Sequence, residues 1–265
     1  MIGSFLNVVI YRLPVMLERE WKTQARELLE LPADDNQTPF NIVAPRSRCP
    51  HCDAGIKAWQ NIPVISYLLL RARCASCGTR ISLRYPAIEL LSALLAGFVA
   101  WKFGVSWATL GGLLFAWSLI ALTFIDLDHQ LLPDDITLPL LWLGLVFSIG
   151  GIFVGATDAI IGAIAGYGSL WLVFQSFKLL TGKEGMGYGD FKLFAAFGAW
   201  LGWQMLPMII LLASAAGAII GGLAIILRGR HRAQPIPFGP FLAIAGLIAF
   251  LWGDAILAWY LGLYQ

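Results

Sequence analysis

Charged residues are scarce in this chain. Asp, Glu, Lys and Arg make up 13% of the 265 residues, whereas 58% of the residues are hydrophobic. A soluble domain of this size does not need so much apolar surface, and apolar runs of roughly twenty residues recur along most of the sequence. The composition excludes a soluble globular protein and predicts a polytopic membrane protein that contacts lipid. We expect no nucleic-acid partner.

The N-terminus lacks the basic region and the small-residue cleavage site of a cleaved signal peptide. Its first apolar piece, Ile2 to Ile10, is too short to cross a hydrocarbon core of about 30 Å at about 1.5 Å per residue. Either the start of a first span is absent from this chain, or the piece enters the membrane only part-way. We expect residues 1–11 to form a partial, truncated first membrane segment.

Seven further apolar stretches predict membrane helices in residues 85–265. They lie at about 86–103, 106–125, 136–154, 157–179, 191–203, 205–227 and 239–262. Together with the partial first segment, they predict an all-α polytopic membrane protein with about eight membrane segments.

Residues 12–84 have a different character, because they hold eleven of the eighteen basic residues and all four cysteines. Basic residues near span ends tend to stay in the cytoplasm. The segments predicted to face inward are residues 12–84, the loop with Lys178, Lys183 and Lys192, and the turn with Arg228, Arg230 and Arg232. Only Lys102 is then left outside. Between Arg12 and Leu31, alternating apolar and charged residues predict an amphipathic helix on the inner leaflet or on the rest of this domain.

The same topology brings two carboxylates to the cytoplasmic side of the bundle. Asp126 follows the span at about 106–125, and Asp190 precedes the span at about 191–203. Two carboxylates that share a site cannot both ionise cheaply, so one stays protonated and polarises a carbonyl while the other takes a proton from water. This arrangement suits hydrolysis of a peptide bond. Which residue acts as acid and which as base stays open.

Each carboxylate also has a purely structural alternative. Asp190 follows Gly187 and Gly189 and fits an ordinary turn that caps the next helix. These glycines would also admit left-handed backbone and let another segment approach closely. The stretch that begins at Asp126 fits an ordinary loop at the membrane surface. In that loop Pro133 breaks the preceding helix, and Asp134 or Asp135 caps the next helix. His129 shares the helical face of Asp126 and is a candidate partner.

The domain of residues 12–84 carries a second motif, made of Cys49-Pro-His-Cys52 and Cys74-Ala-Ser-Cys77. Two such pairs separated by about twenty residues predict a structural, tetrahedral zinc site with four thiolate ligands. Two disulfides are the alternative, but a cytoplasmic loop lies in a reducing compartment. His51 is not needed as a ligand while four cysteines suffice.

Several motifs together resemble the bacterial prepilin peptidases along nearly the whole chain. They are Asp126 with Leu131-Leu-Pro-Asp134, Gly187-Tyr-Gly-Asp190 with Phe-Lys192, the two cysteine pairs, Gly3-Ser-Phe-Leu-Asn-Val-Val-Ile-Tyr-Arg-Leu-Pro14, Asn61-Ile-Pro-Val-Ile-Ser-Tyr67, Arg84-Tyr-Pro-Ala-Ile-Glu89 and Pro237-Phe-Gly-Pro240. The resemblance implies an aspartic protease of the bacterial inner membrane with Asp126 and Asp190 as the catalytic pair. Gly187, Gly189, Asp134 and Lys192 would support the site.

The resemblance also implies the substrates. The enzyme would remove short basic leaders from type IV prepilins and from pseudopilins of type II secretion at the cytoplasmic face. It would then methylate the new N-terminus, usually Phe, using S-adenosylmethionine. No Gly-rich strand-to-helix motif for the methyl donor occurs in the sequence, and Arg71-Ala72-Arg73 stands where relatives commonly carry Gly.

Other functions remain open from the residues alone. Intramembrane carboxylates also serve proton-coupled transporters, which would predict inverted repeats with broken helices at the midplane. Both carboxylates here lie at cytoplasmic span ends, and no repeat is evident. A scaffold without chemistry would leave the glycines around Asp190 unexplained. Glu89, just inside a span, could pair with Arg84, line a hollow in the bundle or face lipid headgroups.

Overall fold

A computed structural model of the chain describes residues 1–32, 39–49, 51–57, 60, 62–228 and 236–262. Within these residues the regular structure is helical, and the β-structure consists of two isolated bridges, Arg48 with Gly55 and Arg73 with Arg80. The predicted all-α fold is confirmed. Asn61, and Arg230 and Arg232 of the predicted cytoplasmic turn, lie outside the described residues.

The described residues form nine α-helices. These are α1 (Ile2–Leu28), α2 (Ile65–Leu69), α3 (Arg84–Phe103), α4 (Trp107–His129), α5 (Asp134–Ile149), α6 (Ala156–Thr181), α7 (Tyr188–Leu201), α8 (Leu206–Arg228) and α9 (Gly239–Gly262), with a 3₁₀ turn at Trp203–Met205 before α8.

Five helical segments of the described residues are long and apolar enough to cross a membrane. They are α3, α4, α6, the segment Trp203–Leu223 that includes most of α8, and α9. Helices α5 and α7 have only 16 and 14 residues, so at about 1.5 Å per residue they cover about 24 and 21 Å of a core of about 30 Å. The chain is a helical membrane protein, and the number of eight segments stays a prediction.

The seven apolar stretches predicted as spans coincide with helices α3 to α9, and most ends agree within four residues. The largest difference is at the end of α5, which stops at Ile149 although the apolar run continues to Val154. Gly150 and Gly151 follow this helix, and Gly151 has a φ of +62°. A left-handed glycine ends a helix without interrupting an apolar run, so hydropathy alone overestimates the helix length.

The chain forms two compact units, Met1–Lys102 and Phe103–Gln265. In the first unit, the predicted partial segment 1–11 and the predicted amphipathic helix join in α1, a single helix of 27 residues with Pro14 inside it. Leu6, Ile10 and Leu13 are buried, and their spacing keeps one apolar face continuous up to the proline. The boundary expected near residue 11 is therefore not a helix boundary.

Arg12 fixes the start of the loop that follows α1. Its guanidinium is buried and donates hydrogen bonds to the carbonyl oxygens of Asn41, Ile42 and Pro45, at 2.8, 3.4 and 2.5 Å. It also lies 5.5 Å from the ring centre of Phe40. A buried guanidinium needs several acceptors, and the loop supplies them from its main chain.

The second unit is built around α7. Every residue from Asp190 to Trp200 is buried except Lys192, and α7 packs against α5, α6 and α9. The indole N–H of Trp200 donates to the carbonyl oxygen of Leu140 on α5 at 2.7 Å. A helix that is apolar on all sides and enclosed by others is a core helix.

Helices α6 and α7 pack closely against each other in this unit, and they meet through glycines. Gly162 and Gly166 form a small-xxx-small pair on α6, which lets two helix backbones approach closely. A Cβ on Gly162 would overlap the main chain of Gly198, and a Cβ on Gly166 would lie 2.6 Å from the carbonyl oxygen of Phe194. These distances leave no room for a side chain.

This contact predicts that Gly166→Ala destabilises the protein whereas Gly168→Ala does not. The new methyl group at residue 166 would meet the backbone of α7, while a Cβ at residue 168 on the same helix meets nothing within 4 Å. We expect a loss of about 1–3 kcal/mol for Gly166→Ala. Thermal unfolding in detergent measures the difference, and equal unfolding temperatures for the two variants would contradict the contact.

Candidate active site

Asp126 lies in the last turn of α4. The helix continues to His129, so Asp126 is inside the helix rather than in the connection after it, and its side chain is buried. The helix ends at Gln130, whose left-handed backbone donates its N–H to the carbonyl oxygen of Asp126 at 2.9 Å. His129, considered as a partner on the same face, is exposed.

Asp190 lies in the first turn of α7, as the third residue after the Gly187 N-cap. The main-chain N–H of Gly187 interacts with the Asp190 carboxylate as a hydrogen-bond donor. The side chain is buried, in contrast to an ordinary cap on a surface turn. A helix cap would explain why Asp190 lies at a helix N-terminus. It would not explain why the side chain is buried.

The glycines before Asp190 serve close packing. A Cβ on Gly189 would lie 2.7 Å from Cβ of Leu132, so the turn touches the connection between α4 and α5. The described glycines with left-handed φ are Gly78, Gly104, Gly151, Gly182 and Gly202. Gly187 and Gly189 are not among them, so neither glycine uses the left-handed backbone that it would admit. The close approach is found at Gly189, whereas a Cβ on Gly187 would meet only Oδ2 of Asp190, at an ordinary 3.8 Å.

The fold brings Asp126 and Asp190 together within the second unit. Their carboxylates interact electrostatically, and both are buried, at 5% and 8% relative exposure. Two interacting carboxylates in a poorly solvated site repel each other when both are ionised, so the protonation of one depends on that of the other.

Gly239, the first residue of α9, also belongs to this site. Its main-chain N–H interacts with the Asp126 carboxylate as a hydrogen-bond donor, and a Cβ on Gly239 would lie 2.5 Å from Oδ2 of Asp126. Sequence reasoning named the surrounding Pro-Phe-Gly-Pro motif only as part of a family resemblance. The contact joins residues 113 positions apart, so no local pattern reveals it.

An ion pair ties the start of α7 to the start of α5. Nζ of Lys192 lies 2.7 and 2.6 Å from the two carboxylate oxygens of Asp134. The residue at the N-cap of α5 is Pro133, so the prediction that Asp134 or Asp135 caps the helix is wrong. Both acids lie instead in the first turn, where a negative charge is favoured by the helix dipole.

The four cysteines form a separate cluster in the first unit. Their Sγ atoms all lie within 4.8 Å of one another, with 3.9 Å between Cys49 and Cys77 and 4.0 Å between Cys52 and Cys74. Four thiolates around one zinc at about 2.3 Å stand about 3.8 Å apart. The thiols are free, so the disulfide alternative is not adopted, and the cluster fits a metal ion.

The two cysteine turns have matching main-chain hydrogen bonds. In each, the N–H of the first cysteine donates to a carbonyl five residues later, at 2.9 Å from Cys49 to Ala54 and 2.8 Å from Cys74 to Thr79. The main-chain N–H groups of His51 and Cys52 lower the pKa of the Cys49 thiol. His51 is not one of the clustered residues.

Hydrogen bonds also favour a thiolate at the second turn. The Thr79 hydroxyl and main-chain N–H lower the pKa of the Cys77 thiol to about 6. Since metal ligands must be deprotonated, the hydrogen bonds at Cys49 and Cys77 favour binding of a cation, whereas the neighbouring Cys77 thiol and burial raise the pKa of Cys52 to about 12.

Glu89 holds a loop of the first unit in place. Its carboxylate accepts hydrogen bonds from the Ser4 hydroxyl at 2.6 Å and from the main-chain N–H of Val64 at 2.8 Å. Val64 has a φ of +58°, which is costly for a β-branched residue. Ala72, where relatives were expected to carry Gly, also has a left-handed φ of +59°.

Comparisons with known proteins agree with this geometry. Residues 1–103 match the model of the bacterial peptidase A24 N-terminal domain, and residues 113–222 match that of the type IV leader peptidase family. No solved structure matches the chain.

Three similar proteins all bear the name prepilin leader peptidase/N-methyltransferase. The protein of Aeromonas hydrophila is 59% identical, that of Stutzerimonas stutzeri 57% and that of Pseudomonas aeruginosa 56%. Each alignment covers 98% of this chain and 90% of the relative. Because the identity is this high over nearly the full length of this chain and of each relative, the chain belongs to the prepilin leader peptidase/N-methyltransferase family.

Proposed function

We propose that this protein is a prepilin peptidase of the bacterial inner membrane that removes the basic leader from type IV prepilins and type II secretion pseudopilins. The observation that carries the proposal is the pair of buried, interacting carboxylates of Asp126 and Asp190, in a chain of this family. The active site and the cysteine loop face the cytoplasm, in agreement with the distribution of basic residues. The transporter alternative has no support.

The two carboxylates act as one acid–base pair. The ionised member takes a proton from a water molecule, which attacks the scissile carbonyl carbon, while the protonated member donates a hydrogen bond to the carbonyl oxygen. When the tetrahedral intermediate collapses, a proton passes to the leaving nitrogen and the C–N bond breaks. Sharing one proton removes the repulsion that two ionised carboxylates would have in this buried position.

The second activity is methylation of the new N-terminus with S-adenosylmethionine as methyl donor. When bound, the donor would supply an electrophilic methyl group to the neutral amine and would leave as the thioether, and the methylated amine would then lose a proton. We assign no residue to this step. Donor labelled in its methyl group follows the transfer to the cleaved product.

The dyad predicts that Asp126→Asn and Asp190→Asn each abolish leader cleavage. Each change keeps the size of the side chain but removes one member of the acid–base pair, so we expect a rate at least about 100-fold lower. The measurement is cleavage of a prepilin in detergent, with Asp135→Asn as a control because Asp135 is an exposed carboxylate in the first turn of α5. Near-normal cleavage by either dyad variant would refute the proposal.

The ion pair between Lys192 and Asp134 predicts a smaller effect on the same reaction. Asp134→Asn removes the ion pair and loosens the start of α7 next to Asp190. Because a partly exposed ion pair contributes up to about 1 kcal/mol, we expect the cleavage rate to fall by up to about fivefold. Asp135→Asn, at the neighbouring position, should leave cleavage unchanged. If the Asp134 and Asp135 variants cleave equally fast, the ion pair has no part in positioning.

We further propose that Cys49, Cys52, Cys74 and Cys77 hold one structural zinc ion. Elemental analysis should find about one zinc per chain in the wild type and much less in Cys52→Ser and Cys77→Ser. His51→Ala serves as the control and should keep its zinc, because His51 is outside the cluster. Metal-free protein with oxidised cysteines would contradict this assignment.

A further inference from the structure

Gly239 stands at the point where α9 meets the candidate dyad. It is buried, and a Cβ built on it would lie 2.5 Å from Oδ2 and 3.1 Å from Cγ of Asp126. Its main-chain N–H interacts with the same carboxylate. The first turn of α9 therefore touches the reactive end of Asp126 with main-chain atoms.

Backbone conformation does not explain a glycine at this position. The φ of Gly239 is not among the left-handed values of the described residues, so an alanine could adopt the same backbone. Alanine also has a higher helix propensity than glycine. Only the space taken by neighbouring atoms disfavours a side chain here.

Two neighbours take that space, and they differ in their freedom to move. Leu132 approaches the built Cβ with Cδ2 at 3.1 Å, and the end of a leucine side chain can rotate away. The Asp126 carboxylate is closer, with Oδ2 at 2.5 Å, and is held by the hydrogen bond from the Gly239 N–H. A side chain at residue 239 would therefore displace the carboxylate.

Leu132 links this contact to the other half of the dyad. Its side chain is buried and meets both Gly239 and Gly189, with Cβ 2.7 Å from a Cβ built on Gly189. The start of α9 and the start of α7 thus pack on the same residue of the connection between α4 and α5.

We propose that Gly239 is a positioning residue of the peptidase, whose missing side chain lets the first turn of α9 hold the Asp126 carboxylate against Asp190. This inference rests on the proposed function. A displacement of about 1 Å in a reacting group can cost about 100-fold in rate. The glycine therefore acts through Asp126 and does not itself touch the substrate.

The first test compares the cleavage kinetics of Gly239→Ala with those of the wild type and of Gly217→Ala. Gly217 lies on α8 opposite Phe241 of the same first turn of α9, and a Cβ there would meet the ring at an ordinary 3.5 Å. We expect Gly239→Ala to lower kcat about 100-fold with KM changed less than about twofold, because only the reacting group moves. Gly217→Ala should match the wild type.

The second test measures stability and does not depend on activity. Gly239→Ala should lower the unfolding temperature by about 2–4 °C per kcal/mol of strain. The same change in an Asp126→Ala background should have no such effect, since the clashing carboxylate is gone. This double-mutant cycle still tests the inference if Gly239→Ala folds poorly, because it compares the loss of stability with and without the Asp126 side chain.

The outcomes separate the two proposals. The inference fails if Gly239→Ala keeps kcat within about twofold of the wild type, if the loss appears in KM, or if the variant is equally destabilised with and without the Asp126 side chain. If the wild type does not cleave prepilin, or Asp126→Asn still does, the proposed function fails. The stability cycle then still decides whether Gly239 packs on the carboxylate.

Discussion

The repulsion between two carboxylates buried at one site is the constraint on which the rest of the second unit depends. Asp126 and Asp190 come from different helices and are both removed from water. Left apart, each would be an isolated buried acid, and such a group is costly to ionise. Held together, two such groups can share one proton, and in the proposed mechanism this sharing supplies both the acid and the base. The fold therefore has to keep two groups close that repel each other when both are charged.

Main-chain contacts provide the stiffness for this task. Helix α7 is fixed by its backbone contact with Gly162 and Gly166 of α6, and its far end is anchored by the hydrogen bond from Trp200 to α5. The N–H groups of Gly187 and Gly239 meet the two carboxylates. Backbone atoms have fewer alternative positions than side chains, so a site built from them loses little entropy when it is occupied.

Much of this arrangement could be predicted from sequence. Ionisable residues within membrane spans are rare, so Asp126 and Asp190 in or directly beside apolar stretches are conspicuous. The distribution of basic residues predicted both of them on one side of the membrane. The spacing of the cysteines likewise predicts a cluster with the geometry found here. These features are predictable because each depends on residue type and local spacing.

The features that sequence did not predict depend on distant contacts or on backbone geometry. The approach of Gly239 to Asp126 depends on how α9 packs against α4, and the end of α5 depends on the left-handed Gly151. Asp134 and Asp135 were predicted to cap α5, but they lie one and two residues after the N-cap, which is Pro133. The segment 1–11 and the amphipathic stretch after it are continuous in α1, because the buried face of this helix continues up to Pro14. Hydropathy and spacing do not record these constraints.

Because α7 is enclosed by other helices, its length does not have to match the thickness of the bilayer. A lipid-facing helix of 14 residues would be too short for the hydrocarbon core, and the surrounding lipid would have to thin around it. Because the neighbouring helices cover α7 from Asp190 to Trp200, its ends are matched to protein and not to lipid. A change in membrane composition would therefore act first on the outer helices, while the helix that carries Asp190 is shielded from hydrophobic mismatch.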